Sequence, residues 1–250
     1  MNTQDRRTNG VVLITGASSG IGAETARRFA GSGMDVVLAA RNEGSLAAVA
    51  KECEASGVDT LTVPTDVTDH EAVDALIDAT LERFGQLDTA VVNAGIGETR
   101  DVPISDLPIE QFERVTETNV NGAYYTTQSV LPALRETGGS IVFVGSYKGK
   151  YPSTSTPVYA ASKWWLRGFA LSVAGQVGPD GVGVTLVNPS GVTTQFGSEY
   201  REHVNEVALD SATTLDASDV ADAIVYAADQ DPPATVTELD LNRRDIFDRF

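Results

Sequence analysis

The sequence is poor in the residues that mark several classes of protein. Cysteine occurs once in 250 residues, at Cys53, so no disulfide can form within the chain and a cytoplasmic location is expected. The two histidines, His70 and His203, are far apart, and no metal site is expected. No run of 18 apolar residues occurs, and the opening MNTQDRRTNG lacks the apolar core of a signal peptide. A secreted disulfide-rich domain, a zinc enzyme and a membrane-spanning protein are therefore disfavoured.

Positive charge is also scarce. The chain has 18 Lys and Arg residues against 35 Asp and Glu residues, a net charge of −17. Without a basic surface to displace phosphate counterions, binding to nucleic acid or to an anionic membrane is disfavoured. An acid-rich, lysine-poor composition is typical of proteins from a salt-loaded cytoplasm, where screening relieves self-repulsion. An acidic enzyme from an ordinary cytoplasm is the alternative.

Short apolar runs alternate with helical spacing along the whole chain. Most runs are continuously apolar, as expected of strands buried on both faces of a parallel sheet. The predicted strands are 11–15, 35–40, 60–64, 89–93, 140–144, 183–188 and 235–241, and the predicted helices are 23–30, 45–55, 70–84, 109–134, 160–177 and 218–229. No linker or repeat divides the chain. The prediction is one α/β domain over residues 1–250, a doubly wound Rossmann fold whose seven-stranded parallel sheet has helices on both faces.

Three segments are predicted to lie outside this core. Residues 1–9 form a flexible N-terminal arm, and residues 243–250 form a C-terminal tail. Residues 193–215 are polar and aromatic and follow the sixth strand, which favours a mobile lid over the substrate. The predicted helix N-caps are Asp69 and Ser218, and the predicted helix stops are Gly31, Gly57 and Gly85.

The turn after the first strand is rich in glycine. It reads TGASSGIG over residues 15–22 and contains Gly16, Gly20 and Gly22. Such glycines let the backbone turn tightly, bring N–H groups against a pyrophosphate and allow close packing of helix on strand. Taken alone, the loop has an alternative interpretation as a plain tight turn.

Further motifs follow the later strands in a fixed order. They are Asp66-Val67, Asn93-Ala94-Gly95, Ser146 and Tyr159-x-x-x-Lys163, together with Asn119 and residues 189–194. With the glycine loop, this set resembles the short-chain dehydrogenase/reductase family from Gly10 to about Asn242. The resemblance implies an NAD(P)-dependent oxidoreductase that transfers a hydride between a nicotinamide and a carbonyl or secondary alcohol. Two positions depart from the family pattern: Val92 replaces an asparagine and Ser190 replaces a glycine.

Four residues are expected to carry the reaction. Tyr159 and Lys163 are four residues apart and share one face of a helix. An ammonium beside a phenol stabilises phenolate, which suits the tyrosine to proton transfer near neutral pH. The resemblance implies Tyr159 as general acid/base, with Ser146 bonded to the substrate carbonyl. It implies that Asn119 holds a water linking Lys163 to solvent; an ordinary polar helix residue is the alternative for Asn119.

The expected cofactor site follows from the same resemblance. Asp66 and the N–H of Val67 would bind adenine, and Val192 and Thr194 would bind the nicotinamide carboxamide. The full expected set is Gly16, Ser18, Ser19, Gly20, Ile21, Gly22, Arg41, Asn42, Asp66, Val67, Asn93, Ala94, Gly95, Tyr159, Lys163, Pro189, Val192 and Thr194.

The end of the second strand distinguishes the two nicotinamide cofactors. An acidic residue there would bind the ribose 2′-hydroxyl and repel a 2′-phosphate. The chain has Ala40 at that position, followed by Arg41, whose guanidinium can clamp a phosphate, and Ser18 and Asn42 can add contacts. NADP(H) is therefore expected, and NAD(H) is the alternative.

Other functions stay open at this level. A non-catalytic dinucleotide sensor should lack the tyrosine or the lysine, and this chain has both. An epimerase or dehydratase of the wider fold should carry a large C-terminal substrate domain. A 3-oxoacyl thioester, a small hydroxy acid, a sugar and a steroid-sized ketone are all open as substrates. The resemblance also implies a homodimer or homotetramer, with helices 109–134 and 160–177 at the dimer interface.

Overall fold

The computed structural model describes residues 10–200, 214–244 and 246. The predicted arm at residues 1–9 lies outside the described residues. The same holds for residues 201–213 of the predicted lid and for residues 245 and 247–250 of the predicted tail.

Seven parallel strands form the central sheet, and two short strands pair beside it. In chain order the strands are β1 (Val11–Thr15), β2 (Asp35–Ala40), β3 (Thr60–Pro64), β4 (Thr89–Val92), β5 (Ser140–Val144), β6 (Gly183–Pro189), β7 (Val192–Thr193), β8 (Leu215–Asp216) and β9 (Glu238–Leu241). The spatial order of the large sheet is β3-β2-β1-β4-β5-β6-β9, and β7 pairs with β8. The order reverses between β1 and β4, and open α/β sheets bind ligands outside the strand ends at such a point.

Helices cover both faces of this sheet. They are α1 (Gly20–Gly31), α2 (Glu43–Glu54), α3 (His70–Phe84), α4 (Ile109–Thr116), α5 (Gly122–Thr137), α6 (Pro157–Val177) and α7 (Ala217–Ala228). Successive side chains of a strand point to opposite faces. Val12 and Ile14 of β1 accordingly pack in one core cluster with side chains of α1, α2 and α7, while Val11 and Leu13 pack in a second with α3, α5 and α6. The predicted doubly wound fold is confirmed. In the described part of the chain, no helix combines the length and apolar character needed to cross a membrane.

The structure corrects several predicted element boundaries. The predicted helix 109–134 is interrupted by a π-helical turn over Glu117–Asn121, which separates α4 from α5. The last strand begins at Glu238 rather than residue 235, because the ladder with β6 starts there, opposite Leu186. The N-cap of α7 is Asp216 rather than Ser218, since Asp216 and Asp219 bond reciprocally to each other's backbone N–H groups.

The other predicted caps and stops lie at helix ends, except for Gly57. Asp69 caps α3 as predicted: its carboxylate accepts from the N–H groups of residues 71 and 72. Gly85 ends that helix in the left-handed conformation, at φ 75°. Gly31 is the last residue of α1. Gly57 is not a C-cap, because α2 ends at Glu54 and is capped by Ala55.

A charged network joins β6, β9, α6 and the loop after β5. Arg167 donates to both carboxylate oxygens of Glu238, at 2.8 Å from Nε and 3.0 Å from Nη2. Lys150 Nζ lies 3.0 Å from Glu238 Oε1 and 2.7 Å from Asp240 Oδ2. Asn188 Nδ2 donates to the same two carboxylates, at 2.8 and 3.0 Å. The hydrogen bond from Arg167, followed by those from Lys150 and Asn188, outweighs burial and lowers the pKa of Glu238 to about 2.

We expect Glu238→Gln to cost stability in a pH-dependent way. The folded pKa of about 2 is below the ordinary 4.5, so the carboxylate contributes stability that is full above pH 4.5 and is lost as the pH falls toward 2. Because solvent screens this partly open network, we expect the variant to lose about 2 kcal/mol of unfolding free energy at pH 7. Urea unfolding between pH 3 and pH 7 measures the difference. The exposed Glu136→Gln on α5 is the control, and a pH-independent loss in Glu238→Gln would contradict the assignment.

Candidate active site

The carboxyl ends of the central strands open into one cavity of about 740 Å³. Its lining includes the glycine loop after β1, the ends of β2 and β4, the segment after β5, the first turns of α6, and the segment after β6. Every predicted catalytic and cofactor residue lines this cavity except Gly22 and Asn119, which lie behind its wall. The fold therefore brings together residues that are more than 150 positions apart in the sequence.

The glycine loop is fixed to the neighbouring strand. Gly16 and Gly20 have positive φ, at 68° and 53°. A Cβ on Gly22 would lie 2.2 Å from the carbonyl oxygen of Gly16 and 2.7 Å from Asn93 Nδ2, so no side chain fits there. Asn93 Nδ2 donates to the carbonyls of Thr15 and Gly16, at 2.9 and 3.2 Å. The loop is thus held where the first N–H groups of α1 face the cavity.

Two arginines meet at the end of the cavity formed by β2 and β3. Arg114 Nη2 donates to Asp66 Oδ2 at 3.3 Å, and Asp66 Oδ1 accepts from the N–H and hydroxyl of Thr68. Burial disfavours the charged form of Asp66, but these hydrogen bonds outweigh it and lower its pKa. Glu199 lies between the arginines, 3.6 Å from Arg41 Nη2 and 3.8 Å from Arg114 Nε. A single oxyanion thus already lies between two guanidinium groups.

Arg114 and Glu199 were not among the predicted site residues. Arg114 lies on α4 rather than after a strand, and Glu199 lies in the predicted lid. The motifs at the strand ends therefore do not indicate either residue as part of the site. Asn42, predicted as a cofactor contact, lines the cavity and also caps α2, since its Oδ1 accepts from the N–H of Ser45 at 2.8 Å.

The segment after β6 tolerates serine in place of glycine. Ser190 does not adopt a left-handed backbone, so the position does not require glycine. Its hydroxyl accepts from the N–H of Arg243 at 3.0 Å, and its own N–H donates to the carbonyl of Leu241 at 2.8 Å. Ser190 therefore joins this segment by hydrogen bonds to the end of β9 and the residues after it. Pro189, Val192 and Thr194 line the cavity beside it.

Tyr159 and Lys163 lie on successive turns of α6. Lys163 is 5% exposed, its Nζ lies 5.7 Å from the centroid of the Tyr159 ring, and it donates to the carbonyl of Val144 at 2.8 Å. Burial lowers the pKa of Lys163 to about 8. The ring of Tyr159 packs against Phe196 with the centroids 5.2 Å apart. The hydroxyl of Ser146 accepts from the N–H of Lys148 at 3.1 Å at the start of a single 3₁₀ turn.

Asn119 occupies the π-helical turn between α4 and α5. Such turns often mark functional sites, because the extra residue displaces a side chain from the regular helical position. Asn119 Nδ2 donates to the carbonyl of Ile96 at 2.9 Å and to the hydroxyl of Ser162 at 3.0 Å, and Oδ1 accepts from the N–H of Ile96 at 2.9 Å. A Cβ on Gly95 would lie 3.3 Å from Asn119 Oδ1 and 3.7 Å from Lys163 Nζ, so both groups flank the same glycine.

Glu98 is a buried carboxylate that the motifs did not indicate. It is 0% exposed and accepts from the N–H of Val158 at 2.8 Å and from that of Tyr159 at 3.0 and 3.2 Å. Negative charge at a helix N-terminus is favourable, so Glu98 fixes the first turn of α6. Within GIGETR it looks like a solvated loop residue, and only the packed structure reveals its partners.

The arrangement defines an α/β protein of the nucleotide-binding Rossmann type with a tyrosine, a serine and a buried lysine in its cleft. The chain matches the short chain dehydrogenase family over residues 10–205, and it belongs to that family of oxidoreductases.

Three similar proteins extend the comparison. A sulfoacetaldehyde reductase of Chromohalobacter salexigens is 36% identical over 237 residues, which cover 92% of this chain and 93% of the relative. An alcohol dehydrogenase of the archaeon Thermococcus sibiricus, solved with 5-hydroxy-NADP, superimposes with a TM-score of 0.84 at 29% identity, covering 93% of this chain and 96% of that one. A 3-ketoacyl-(acyl-carrier-protein) reductase of Brucella melitensis, solved with NADH, gives 0.83 at 29% identity with the same coverage.

Proposed function

We propose that this protein is an NADP(H)-dependent carbonyl reductase, or secondary-alcohol dehydrogenase, with Tyr159 as general acid/base. The observation that carries the proposal is the buried ammonium of Lys163 beside the ring of Tyr159, in the same cavity as the Ser146 hydroxyl. The relative from Chromohalobacter salexigens is named for a reaction on an aldehyde, which supports a carbonyl as the reacting group.

The cavity fits a nicotinamide dinucleotide. The positive-φ glycines and the side-chain-free position of Gly22 leave backbone N–H groups open to a pyrophosphate. Asp66 and Val67 would hold the adenine, Lys163 the ribose hydroxyls, and Val192 and Thr194 the carboxamide. When bound, the nicotinamide supplies the hydride.

The chain's own residues would supply orientation and the proton. The hydroxyl of Ser146 would donate a hydrogen bond to the substrate carbonyl oxygen and stabilise negative charge as it develops on that oxygen. Tyr159 gives its phenolic proton to that oxygen, and the ammonium of Lys163 stabilises the phenolate left behind. Asn119 is held by Ile96 and Ser162 behind Gly95. In this proposal it would link the region to water, through which the proton is restored.

The arginines support NADP(H) over NAD(H). Ala40 leaves no carboxylate to repel a 2′-phosphate, and Arg41 and Arg114 both approach one carboxylate, that of Glu199. An oxyanion of the cofactor would replace Glu199 between these guanidinium groups. One solved relative carries 5-hydroxy-NADP and another carries NADH, so the preference rests on this chain's residues.

Fluorescence titration with NADPH and with NADH tests the cofactor preference. We expect NADPH to bind at least tenfold tighter, about 1.4 kcal/mol. In Arg41→Met the advantage should shrink toward equality while NADH affinity stays unchanged, and the surface variant Arg83→Met is the control. A parallel titration in about 2 M potassium chloride tests whether the acidic composition reflects adaptation to a salt-loaded cytoplasm, in which case the cofactor should bind only at high salt. Equal wild-type affinities would reject the NADP preference, and failure to bind either cofactor in both buffers would reject the dehydrogenase function.

We also expect a homodimer or homotetramer. Tyr124 of α5 and Trp164 and Trp165 of α6 are exposed large apolar side chains, and Phe112 of α4 is another. A second copy would cover such side chains and bury their apolar surface. Light scattering on the purified protein measures the mass in solution, and a monomer at micromolar concentration would contradict this expectation.

A further inference from the structure

The described lining of the cavity is rich in basic residues, unlike the chain as a whole. Among the described residues that line it, six are basic and two are acidic, Asp66 and Glu199, although the whole chain has 35 acidic and 18 basic residues. The basic lining residues are Arg41, Arg100, Arg114, Lys148, Lys163 and Arg243. Positive charge in a cleft focuses the field and attracts anions more strongly than the same charge on an open surface.

The proposed cofactor and chemistry account for half of these groups. Arg41 and Arg114 lie around the Glu199 carboxylate, where a cofactor phosphate would bind, and Lys163 lies beside Tyr159. Arg100, Lys148 and Arg243 remain, and none of them is needed for hydride transfer to a neutral ketone.

Arg100 lies in a loop that hydrogen bonds hold close to the start of α6. On one side, the N–H of Thr99 donates to Gln111 Oε1 at 2.8 Å, and its hydroxyl donates to the carbonyl of Tyr200 at 3.1 Å. On the other, the N–H of Asp101 donates to the carbonyl of Ser155 at 3.0 Å, four residues before Tyr159. The bond from Asp101 places this loop beside the residues that precede α6, and Arg100 itself lines the cavity.

The backbone of this loop is strained in a way that favours a functional explanation. Asp101 has a φ of 60°, and it is the only non-glycine residue with positive φ in the described ranges. Strain of this kind persists where the surrounding structure over-determines it, and it concentrates at binding sites. Glu98, three residues earlier, turns its carboxylate to the N–H groups of Val158 and Tyr159. In this loop the carboxylate of Glu98 therefore binds the start of α6, while Arg100 lines the cavity.

Lys148 adds a second positive charge to the lining of the cavity. It is two residues after Ser146, whose hydroxyl accepts from its N–H, and its Nζ lies 2.6 Å from the hydroxyl of Thr156, which also lines the cavity. The chain has only four lysines, and two of them, Lys148 and Lys163, line this cavity. In a composition that avoids lysine, this placement indicates a use for the charge.

We propose that the substrate is a small aldehyde or ketone bearing a carboxylate or sulfonate group, and that Arg100, supported by Lys148, binds this anion. The inference rests on the proposed reductase function and names its substrate class. A guanidinium matches such oxyanions with two parallel hydrogen bonds. The substrate is small because a dinucleotide and the substrate share one cavity of about 740 Å³.

Matched pairs of aldehydes test this assignment. Sulfoacetaldehyde is paired with neutral 3,3-dimethylbutanal, and succinic semialdehyde with neutral 4-methylpentanal, and kcat/KM is measured for each with NADPH. We expect at least one anion to be preferred over its neutral partner by tenfold or more, and the preferred pair distinguishes sulfonate from carboxylate. The preference should weaken as salt is raised.

Variants assign the preference to residues. In Arg100→Gln the ratio of kcat/KM for the anionic aldehyde to kcat/KM for its neutral partner should fall at least tenfold. Arg100→Lys should retain part of the preference for the anion, and Lys148→Gln should lower the ratio less than Arg100→Gln does. Arg135→Gln removes the same charge from exposed α5, where Arg135 pairs with Asp180, and should keep the wild-type ratio. Thermal unfolding of each variant checks folding, and because the readout is a ratio on one protein, partial loss of folded enzyme does not change it.

Three outcomes would overturn the proposal. Equal kcat/KM within both pairs would reject an anionic substrate but not the reductase function. An anion preference that Arg100→Gln and Lys148→Gln both retain would reject the assignment of these residues, again without rejecting the reductase function. Reduction of none of the four aldehydes would also overturn the proposal, and NADPH titration of the same sample then shows whether the proposed function fails with it.

Discussion

Tyr159→Phe is expected to lower kcat/KM for carbonyl reduction on the order of 10³-fold while the protein still binds NADPH. The substitution removes one oxygen from a side chain whose ring packs on Phe196 and lies beside the ammonium of Lys163, so the packing of the ring is retained. The lost group is the proton donor to the carbonyl oxygen. A positioned acid typically contributes 10²- to 10⁴-fold, roughly 3 to 5 kcal/mol of transition-state stabilisation.

Steady-state kinetics and cofactor titration on the same preparation measure this effect. Tyr226→Phe removes a hydroxyl from an exposed tyrosine of α7 and should change neither quantity. If Tyr159→Phe lowered kcat/KM by less than tenfold, Tyr159 would not be the general acid.

Lys163→Met is expected to abolish most of the activity without destabilising the fold. The buried ammonium is an unfavourable element of the free protein, since burial lowers its pKa from 10.5 to about 8. Between these values Lys163 stays protonated in the unfolded state but not in the folded one, so its contribution to stability should rise as the pH rises from 8 to 10.5. Burial raises the pKa of the Cys53 thiol to about 11, which opposes this rise equally in wild type and variant. Below pH 8 the burial penalty is present in full, at about 3 kcal/mol.

Methionine fills similar space without the charge, although the carbonyl of Val144 loses its hydrogen bond, a cost of about 1 to 3 kcal/mol. The variant should therefore be at least as stable as the wild type at pH 7, and the difference in stability between the two should shift toward the wild type between pH 8 and pH 10.5. We expect kcat/KM to fall by about 10²-fold or more, because the phenolate of Tyr159 loses its stabilising cation.

Urea unfolding of the free protein at several pH values, with kinetics alongside, separates the two effects. Lys51→Met on the exposed face of α2 is the matched control and should change neither. A Lys163→Met protein that is both inactive and clearly less stable than wild type at pH 7 would mean that the lysine is structural.

The sequence allowed the fold and most of the cavity lining to be predicted, because both follow from local patterns. A continuous apolar run predicts a buried parallel strand, and the strand ends of a doubly wound sheet meet at one edge. Residues placed directly after strands, such as Gly16, Asp66, Asn93 and Ser146, therefore all line the cavity. Ser190 is also accommodated without a left-handed backbone, so its departure from glycine leaves the turn intact.

Other parts of the candidate site depend on packing between distant segments and carry no local signal. Glu98 acts on α6 from 60 residues away, and Arg114 meets Asp66 across 48 residues. The π-helical turn at Asn119 lies inside a stretch whose periodicity predicts one continuous helix. Cytoplasmic location and adaptation to salt, which rest on composition alone, stay predictions.

Transfer of deuterium from NADPH that carries deuterium at both C4 positions of the nicotinamide tests the central claim most directly. The wild-type protein and Tyr159→Phe are each incubated with the labelled cofactor and a substrate aldehyde, and mass spectrometry follows the alcohol. We expect an alcohol carrying one deuterium from the hydride-donating position of the cofactor, formed on the order of 10³-fold faster by wild type. An alcohol without deuterium, or equal rates for the two proteins, would contradict this claim.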